Sequence, residues 1–271
     1  MNVAKMKRGV RAWLSERPRL LQAVFRVLGK PYTEIAVFRA LVRPGDTVLD
    51  IGANTGQYTC LFATLAGKSG AVHAFEPIPP TFEILKENTA GYVQKYHVTL
   101  NDCAMGESEG SVKMFVADDR FTEASMVRHS MSSHTANYES PVTTVDRYVK
   151  EKGIGTVALI KCDVEGAELL AMKGARELLK SKTPPMLFLE AWSGWTKDFG
   201  YQPADLFSFL EKEAGYHIYH VYKGGIRRIS AGDTLPLDSF PDFLNFLCVI
   251  PGIHDDRFAL LARAGIAIVE E

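Results

Sequence analysis

Apolar residues come in short blocks along this chain, and the blocks alternate between two periods. Residues 47–51, 71–75, 96–100, 156–162 and 186–189 are rich in Val, Ile, Leu, Ala and Phe. In 156–162 the apolar character is nearly continuous, as expected of a strand covered on both faces. Between these blocks lie stretches with helical spacing. They are 56–66, stopped by Gly67; a helix opened by Pro79-Pro80 and carrying Phe82, Ile84 and Leu85; 144–152; 166–180, with Leu169, Leu170, Met172, Leu178 and Leu179; and 203–214. Proline at a first turn and glycine past a last one mark helix ends. Further strands are predicted at 216–222 and near 245–250. Strands that alternate with helices in this way predict an α/β fold.

The rhythm fails in two places. Residues 106–142 are polar: a strand-like piece at 111–116 is followed by 118–140, rich in Ser, Thr, His and Met and without a helical period. The expectation is a long irregular loop or lid inserted in the main domain, the kind of segment that binds ligands more often than it fills a core. Residues 1–42 form a basic helical segment ahead of a domain at 43–271. Two short helices are predicted there, the second with Pro18 in its first turn and Leu20, Leu21, Val24, Val27 and Leu28 along one face. Such a segment is a lid, a protein-binding element or a contact with an anionic membrane surface, or else an amphipathic helix packed on the body.

Charge narrows the range of partners. Residues 1–30 hold eight Lys or Arg against the single acid Glu16, so they contribute +7 to a whole-chain net charge of −1 and leave −8 for the rest. An acidic body is a poor match for phosphate, and nucleic acid is not an expected partner. No apolar run approaches the roughly 18 residues of a membrane-spanning helix. Cys60, Cys103, Cys162 and Cys248 lack CxxC spacing, which favours reduced thiols packed as small hydrophobes in a cytoplasmic protein. With 271 residues, 46% of them hydrophobic, there is ample material for a core.

The chemistry concentrates where strands end. Asp50-Ile51-Gly52-Ala53-Asn54-Thr55-Gly56 closes an apolar strand on an acid and then supplies two glycines. A turn of this kind lets backbone press against a bound nucleoside, and Gly56 also lets the next helix pack closely. Glu76 closes the following strand at a distance suited to gripping ribose hydroxyls, and Asn101 or Asp102 at the end of the third is placed for an adenine amino group. No glycine stands at 54, so the dinucleotide fingerprint is absent and a nicotinamide oxidoreductase is disfavoured. Asp163 and Glu190 end two later strands. With Asp50 and Glu76 they make four acids at the carboxyl ends of strands, where open α/β sheets bind ligands. Trp192, Trp195 and Phe199 lie just beyond; they either form an aromatic platform for a sugar ring or pack a loop on the sheet edge.

Asp50-Ile51-Gly52-Ala53-Asn54-Thr55-Gly56, Phe75-Glu76-Pro77, Thr143-Thr144-Val145-Asp146 and above all Ile160-Lys161-Cys162-Asp163-Val164-Glu165-Gly166-Ala167-Glu168 resemble the FkbM-type S-adenosylmethionine-dependent methyltransferases, over about residues 46–192. The resemblance implies a Rossmann-like class I methyltransferase fold: a seven-stranded, mostly parallel sheet with one antiparallel strand and helices on both faces. It implies transfer of a methyl group from S-adenosylmethionine to a hydroxyl of a sugar, glycan or secondary metabolite. N-methylation on the same fold, or a catalytically idle cofactor-binding or assembly module, are the alternatives. Cofactor contacts then fall on Asp50, Gly52, Ala53, Asn54, Gly56, Tyr58, Glu76, Pro77, Asn101, Asp102 and Asp163. In-line attack by a hydroxyl calls for a group to take its proton. Asp163 and Glu165 are the first candidates, Glu190 the third, and His129 and His134 in the loop the runners-up. Asp163, Glu165 and Glu190 are also an all-oxygen set of the kind that holds Mg²⁺. Against that stands the reading that Glu165 and Glu168 favour the positive end of the following helix. Neither the acceptor molecule nor the oligomeric state follows from these residues.

Overall fold

The computed structural model describes residues 33–117, 120–126, 134–230, 232 and 245–270. The helices expected before residue 33 and the candidate His129 lie outside the described residues. In chain order the elements begin with α1 (Thr33–Leu41), β1 (Thr47–Ile51), α2 (Gln57–Ala66), β2 (Ala71–Phe75), α3 (Pro79–Val93) and β3 (His97–Asn101). Then follow β4 (Ala104–Met105), β5 (Gly110–Ala117), β6 (Arg120–Ser125), β7 (His134–Thr143), α4 (Val145–Glu151) and β8 (Leu159–Cys162). After these come α5 (Glu168–Lys173), α6 (Arg176–Leu179), β9 (Met186–Glu190), α7 (Ser193–Thr196) and α8 (Pro203–Ala214). The chain closes with β10 (His217–Tyr222), β11 (Gly225–Ile229), β12 (Asn245–Val249), α9 (Asp255–Arg263) and β13 (Ala267–Val269).

One sheet organises the body, in the order β13-β11-β10-β12-β9-β8-β1-β2-β3. β3, β2, β1, β8 and β9 run parallel, and β12 lies antiparallel between β9 and β10. That accounts for the seven expected strands. The sheet is two strands wider because β10 turns back through Lys223 and Gly224, at φ 87°, into β11, beside which β13 adds in parallel. A two-residue connection with a left-handed glycine is a usual hairpin solution. These edge strands left little apolar signal, since β11 interposes Arg227 and Arg228 between its isoleucines and β13 is three residues long.

Period-two alternation divides the sheet into two buried faces. Leu49, Ile51, Ile160, Cys162, Leu187 and Leu189 join one hydrophobic cluster, while Val48, Leu159, Met186 and Phe188 join the other with Phe38 of α1 and Phe62 of α2. Covering both faces is what makes the central strands continuously apolar. It also fixes where their polar ends point. Asp50 lies opposite Lys161 in register, Lys161 opposite Phe188, and Glu190 opposite Asn245, all on the α1/α2 face.

Two expectations change. The helix foreseen over 166–180 is α5 and α6, broken at Gly174. A Cβ there would lie 2.0 Å from the Gly106 carbonyl oxygen, and the Gly174 carbonyl accepts from the Asp146 amide at 2.9 Å, so the crossing chain replaces helical continuity. Within the stretch over 106–142 the described residues supply β5, β6 and β7, which with β4 form a second sheet, β4-β7-β5-β6, where an irregular loop was expected. Among its described side chains, Met114 packs with Ile78 in a small cluster with Val112, Met126 and Tyr138 around them, and Met105 of β4 joins the main core. A strand pair with so few core contacts leaves a weak hydrophobic pattern. Among the described residues no helix is long and apolar enough to cross a membrane. All four cysteines are free, three buried and Cys103 half-buried.

Candidate cofactor and substrate site

Strand order reverses at β1, which has β2 on one side and β8 on the other, and the sequence-selected acids gather at the carboxyl ends of these strands. The turn after β1 is tied down by its own backbone. Gly52 and Ala53 amides both donate to the Phe75 carbonyl, at 3.0 and 2.9 Å, and Gly56 donates to Ala53 at 2.9 Å. Gly52 and Gly56 have φ of 75° and 89°, and Asn54 between them sits at 51°. Asn54 is a residue type that tolerates the left-handed region.

The reason for glycine at 52 differs from the expectation. A Cβ there would stand 1.8 Å from the Asp163 carbonyl oxygen, so the space that Gly52 leaves is filled by the chain after β8. A Cβ on Gly56 would lie 2.8 Å from both Leu85 and Thr89, so this position permits close approach of α3.

Glu76 is the clasp of the turn. Only 6% exposed, its carboxylate accepts from the Asn54 amide at 3.0 Å and from the Ile78 amide at 2.9 Å, joining the β1–α2 turn to the start of α3. Burial pushes its pKa up to about 7, against the pull of those two amides. A second clasp repeats the device after β8. Glu168, 1% exposed, accepts from the Val164 and Gly166 amides at 3.1 and 3.2 Å, and Tyr201 donates to it at 3.3 Å. Its pKa is likewise raised by burial to about 7. Glu168 therefore builds the Asp163–Gly166 turn. Within that turn Glu165 adopts φ 54°, left-handed for a residue other than glycine, a conformation that surrounding structure must enforce.

A buried lysine joins the two turns, and no role had been assigned to it from the sequence. Lys161, 4% exposed, donates to the Gly52 carbonyl at 3.1 Å. It stands 3.1 Å from Asp163 and 3.8 Å from Asp50, with the Tyr58 ring centre at 5.2 Å. A signal was present: a lone cation in an otherwise apolar strand, two residues before an acid. Burial works to strip the proton from Lys161, but Asp163 and Asp50 outweigh it and the ammonium is stabilised. Asp50 is fully buried and accepts from the Thr59 hydroxyl at 2.6 Å. Its desolvation raises its pKa, with Lys161 and Thr59 opposing. The side chain of Asp163 is 30% exposed. Burial would raise its pKa, but Lys161 and a hydrogen bond with Glu190 bring it below the usual range. Glu190 moves strongly the other way, through burial, the Asp163 charge and that same bond. The two carboxyls thus form an unlike pair, the pKa of Asp163 lowered and that of Glu190 raised.

Other expected residues fall outside this arrangement. Asn101 spends its amide group on the Ala74 carbonyl at 3.0 Å and its amide oxygen on the Tyr148 hydroxyl at 3.1 Å, while the neighbouring Asp102 is the exposed carboxylate after β3. The proposed Mg²⁺ set does not fit: among the described residues no group of three or more Asp, Glu, His or Cys is arranged to hold a metal, and the cation between Asp50 and Asp163 is Lys161. His134 opens β7, opposite Ala117. Trp192 and Trp195 meet edge to face, centroids 5.1 Å apart at 86°, so they make a corner and no flat platform. Phe199 packs on Gly166, where a Cβ would come within 2.9 Å of its ring.

The strand order from β3 through β1 to β12 and β10, with polar groups gathered at the β1/β8 divide, defines a Rossmann-like α/β fold of the class I methyltransferase type. A family model described as "Methyltransferase FkbM domain" matches residues 50–218, more than half of the chain, and the chain belongs to that family. It is 26% identical over 163 residues to the 31-O-demethyl-FK506 methyltransferase FkbM of Streptomyces tacrolimicus, covering 50% of this chain and 62% of that one. It is 28% identical over 138 residues to the hexuronic acid methyltransferase AglP of Haloferax volcanii, covering 50% of this chain and 52% of the relative. The match thus spans less than two thirds of either relative. Among solved structures, a SAM-dependent O-methyltransferase from Thermotoga maritima aligns with a TM-score of 0.43 and 13% identity, covering 80% of this chain and 64% of that one.

Proposed function

We propose that this protein is an S-adenosylmethionine-dependent O-methyltransferase acting on a hydroxyl of a sugar, glycan or other small molecule. The observation that carries the reading is Glu76, held at the end of β2 against the glycine turn of β1. Each of its oxygens accepts one backbone amide and keeps a further lone pair, which suits the paired hydroxyls of a ribose. The Gly52–Gly56 turn supplies the rest of a nucleoside-sized cradle. The FkbM and AglP relatives, whose names specify methyl transfer to 31-O-demethyl-FK506 and to a hexuronic acid, support a hydroxylated acceptor.

When bound, S-adenosylmethionine would supply an electrophilic methyl group to an acceptor hydroxyl, whose proton would have to go to the protein or to water. Asp163 is the side chain placed to receive it: partly exposed, 3.1 Å from Lys161, and with its pKa held below the usual range while that of its neighbour Glu190 is raised. Lys161 keeps it a carboxylate at the expense of basicity. Alignment is therefore the larger contribution, worth roughly 7–11 kcal/mol in favourable systems, with base assistance adding about 10²–10⁴ in rate. The Trp192/Trp195 corner, next along the chain from Glu190, offers a half-buried aromatic edge to a sugar ring.

Two measurements test the reading. Calorimetry should give micromolar binding of S-adenosylmethionine to the wild type and a loss of about tenfold or more in Glu76→Ala, the size of one charge-assisted hydrogen bond. Radiolabelled methyl transfer into fractionated cell extract should mark a carbohydrate or small-molecule fraction at the same rate with and without a chelator, because Lys161 already supplies the cation between the acids. No cofactor binding by folded protein would refute the reading, and a chelator-sensitive rate would restore a metal to it.

A further inference from the structure

An ammonium buried among apolar strands is costly unless its partners are excellent, and those of Lys161 are divided between two segments. Its contacts at 3.1 Å to the Gly52 carbonyl and 3.1 Å to Asp163 reach from β8 to the turn after β1 and to the turn after β8. Asp50, opposite it in register, lies at 3.8 Å, and the Tyr58 ring on α2 covers the remaining side. An ammonium has three protons to place, and Gly52 and Asp163 account for two of them. Gly52 itself sits at φ 75° with no side chain to fix its peptide plane. The chain holds that plane at both ends, through the Gly52 amide on Phe75 and the Gly52 carbonyl on Lys161.

We propose that Lys161 is a positioning residue, which sets the Gly52–Gly56 turn and the Asp163 carboxylate at one fixed separation so that methyl donor and acceptor hydroxyl meet in line. The inference rests on the reading that this turn holds S-adenosylmethionine. It explains why a lysine, and not another apolar residue, stands in the middle of a strand whose neighbours Ile160 and Cys162 are fully buried. An apolar side chain would fill the volume but release the Gly52 carbonyl and leave Asp50 and Asp163 facing one another without a cation.

The test is S-adenosylmethionine affinity by calorimetry in wild type, Lys161→Ala and Lys161→Met, with and without added ethylamine, and with melting temperature recorded in parallel. Failure of the wild type to bind would refute the functional reading, independently of Lys161. Given wild-type binding, both variants should bind about tenfold or more weakly. Ethylamine should restore affinity to Lys161→Ala, which has room for it, and not to Lys161→Met, which does not. A merely structural role predicts amine-dependent melting with no matching change in affinity. Wild-type affinity in Lys161→Met, or a folded Lys161→Ala that ignores the amine, would overturn the proposal. Should both variants fail to fold, Lys161→Arg retains the charge but misplaces its donors. It should bind about fivefold or more weakly, and wild-type affinity there would equally overturn it.

Discussion

The two buried glutamates make the fold sensitive to pH in a definite direction. Glu76 and Glu168 each move from 4.5 to about 7 on folding, so the native chain binds protons more readily than the unfolded one. Their contribution to stability is full below pH 4.5 and is lost as the pH rises through 7. Asp50 and Glu190 are shifted the same way. Asp163 is shifted the opposite way, and its contribution is lost only below its ordinary value of 3.8. His73, His217, His220 and His254, whose pKa values burial lowers, work the other way over part of this range, so the fall between pH 5 and pH 8 that the glutamates contribute is read by comparing a variant with the wild type. Glu168→Gln keeps an oxygen for the Val164 and Gly166 amides, and the Tyr201 hydroxyl can turn to accept from its amide group. This variant should flatten the fall by an amount on the order of 2 kcal/mol, and melting curves that run parallel for the two proteins would reject the assignment.

At the scale of elements, the close contact of β1 with the turn after β8 is the joint on which the site depends. Gly52 and Gly200 share nearly the same φ, 75° and 79°, but a Cβ on Gly200 meets nothing within 4 Å while one on Gly52 meets the Asp163 carbonyl at 1.8 Å. Gly200→Ala should lose only the left-handed penalty, about 1–2 kcal/mol. Gly52→Ala must also part the strand ends, and in denaturant unfolding should lose upward of about 4 kcal/mol. Equal losses would show that the approach relaxes easily. This contrast also marks what the sequence could disclose. β1, β2 and α8 begin and end where the apolar pattern placed them, and the acids at the ends of β1, β2 and β9 were visible because strand and turn signals bracket them. Lys161 was not, because its partner Asp50 lies 111 positions earlier and becomes a neighbour only through the β1–β8 register. The bond of Asn101 to Ala74 and the packing of Gly52 on Asp163 are likewise long-range contacts that no local pattern encodes. Beyond the strand-like piece at 111–116, the second sheet escaped for a different reason, since its small apolar cluster is divided among β5, β7, Met126 and the β2–α3 corner.

At the scale of the whole molecule, the second sheet is attached beside the proposed cofactor clasp. Ser140 donates to the Pro77 carbonyl at 2.5 Å and Met114 packs with Ile78, so β7 and β5 rest on the two residues that follow Glu76. Its base is anchored separately: the Gly106 amide donates to Thr143 at 3.0 Å, and Gly110 lies opposite Val142 in register. Because these positions are already adjacent, residues 111–141 can be replaced by a two- to four-residue glycine-rich turn, about the length of an ordinary hairpin loop, without stretching the chain. Among the described residues, the hydrogen bonds that fix Glu76, Gly52 and Lys161 lie outside the removed segment. If the sheet covers the acceptor, as its position over the Glu76–Ile78 corner suggests, its removal should separate the two halves of the reaction. Calorimetry of the shortened protein should give S-adenosylmethionine affinity within a few-fold of wild type, while methyl transfer into the active extract fraction drops about a hundredfold or more, the effect of losing alignment of one substrate. Loss of cofactor affinity as well would mean that the corner after Glu76 is held in shape by the sheet that rests on it, and undiminished transfer would place the acceptor wholly on the main sheet.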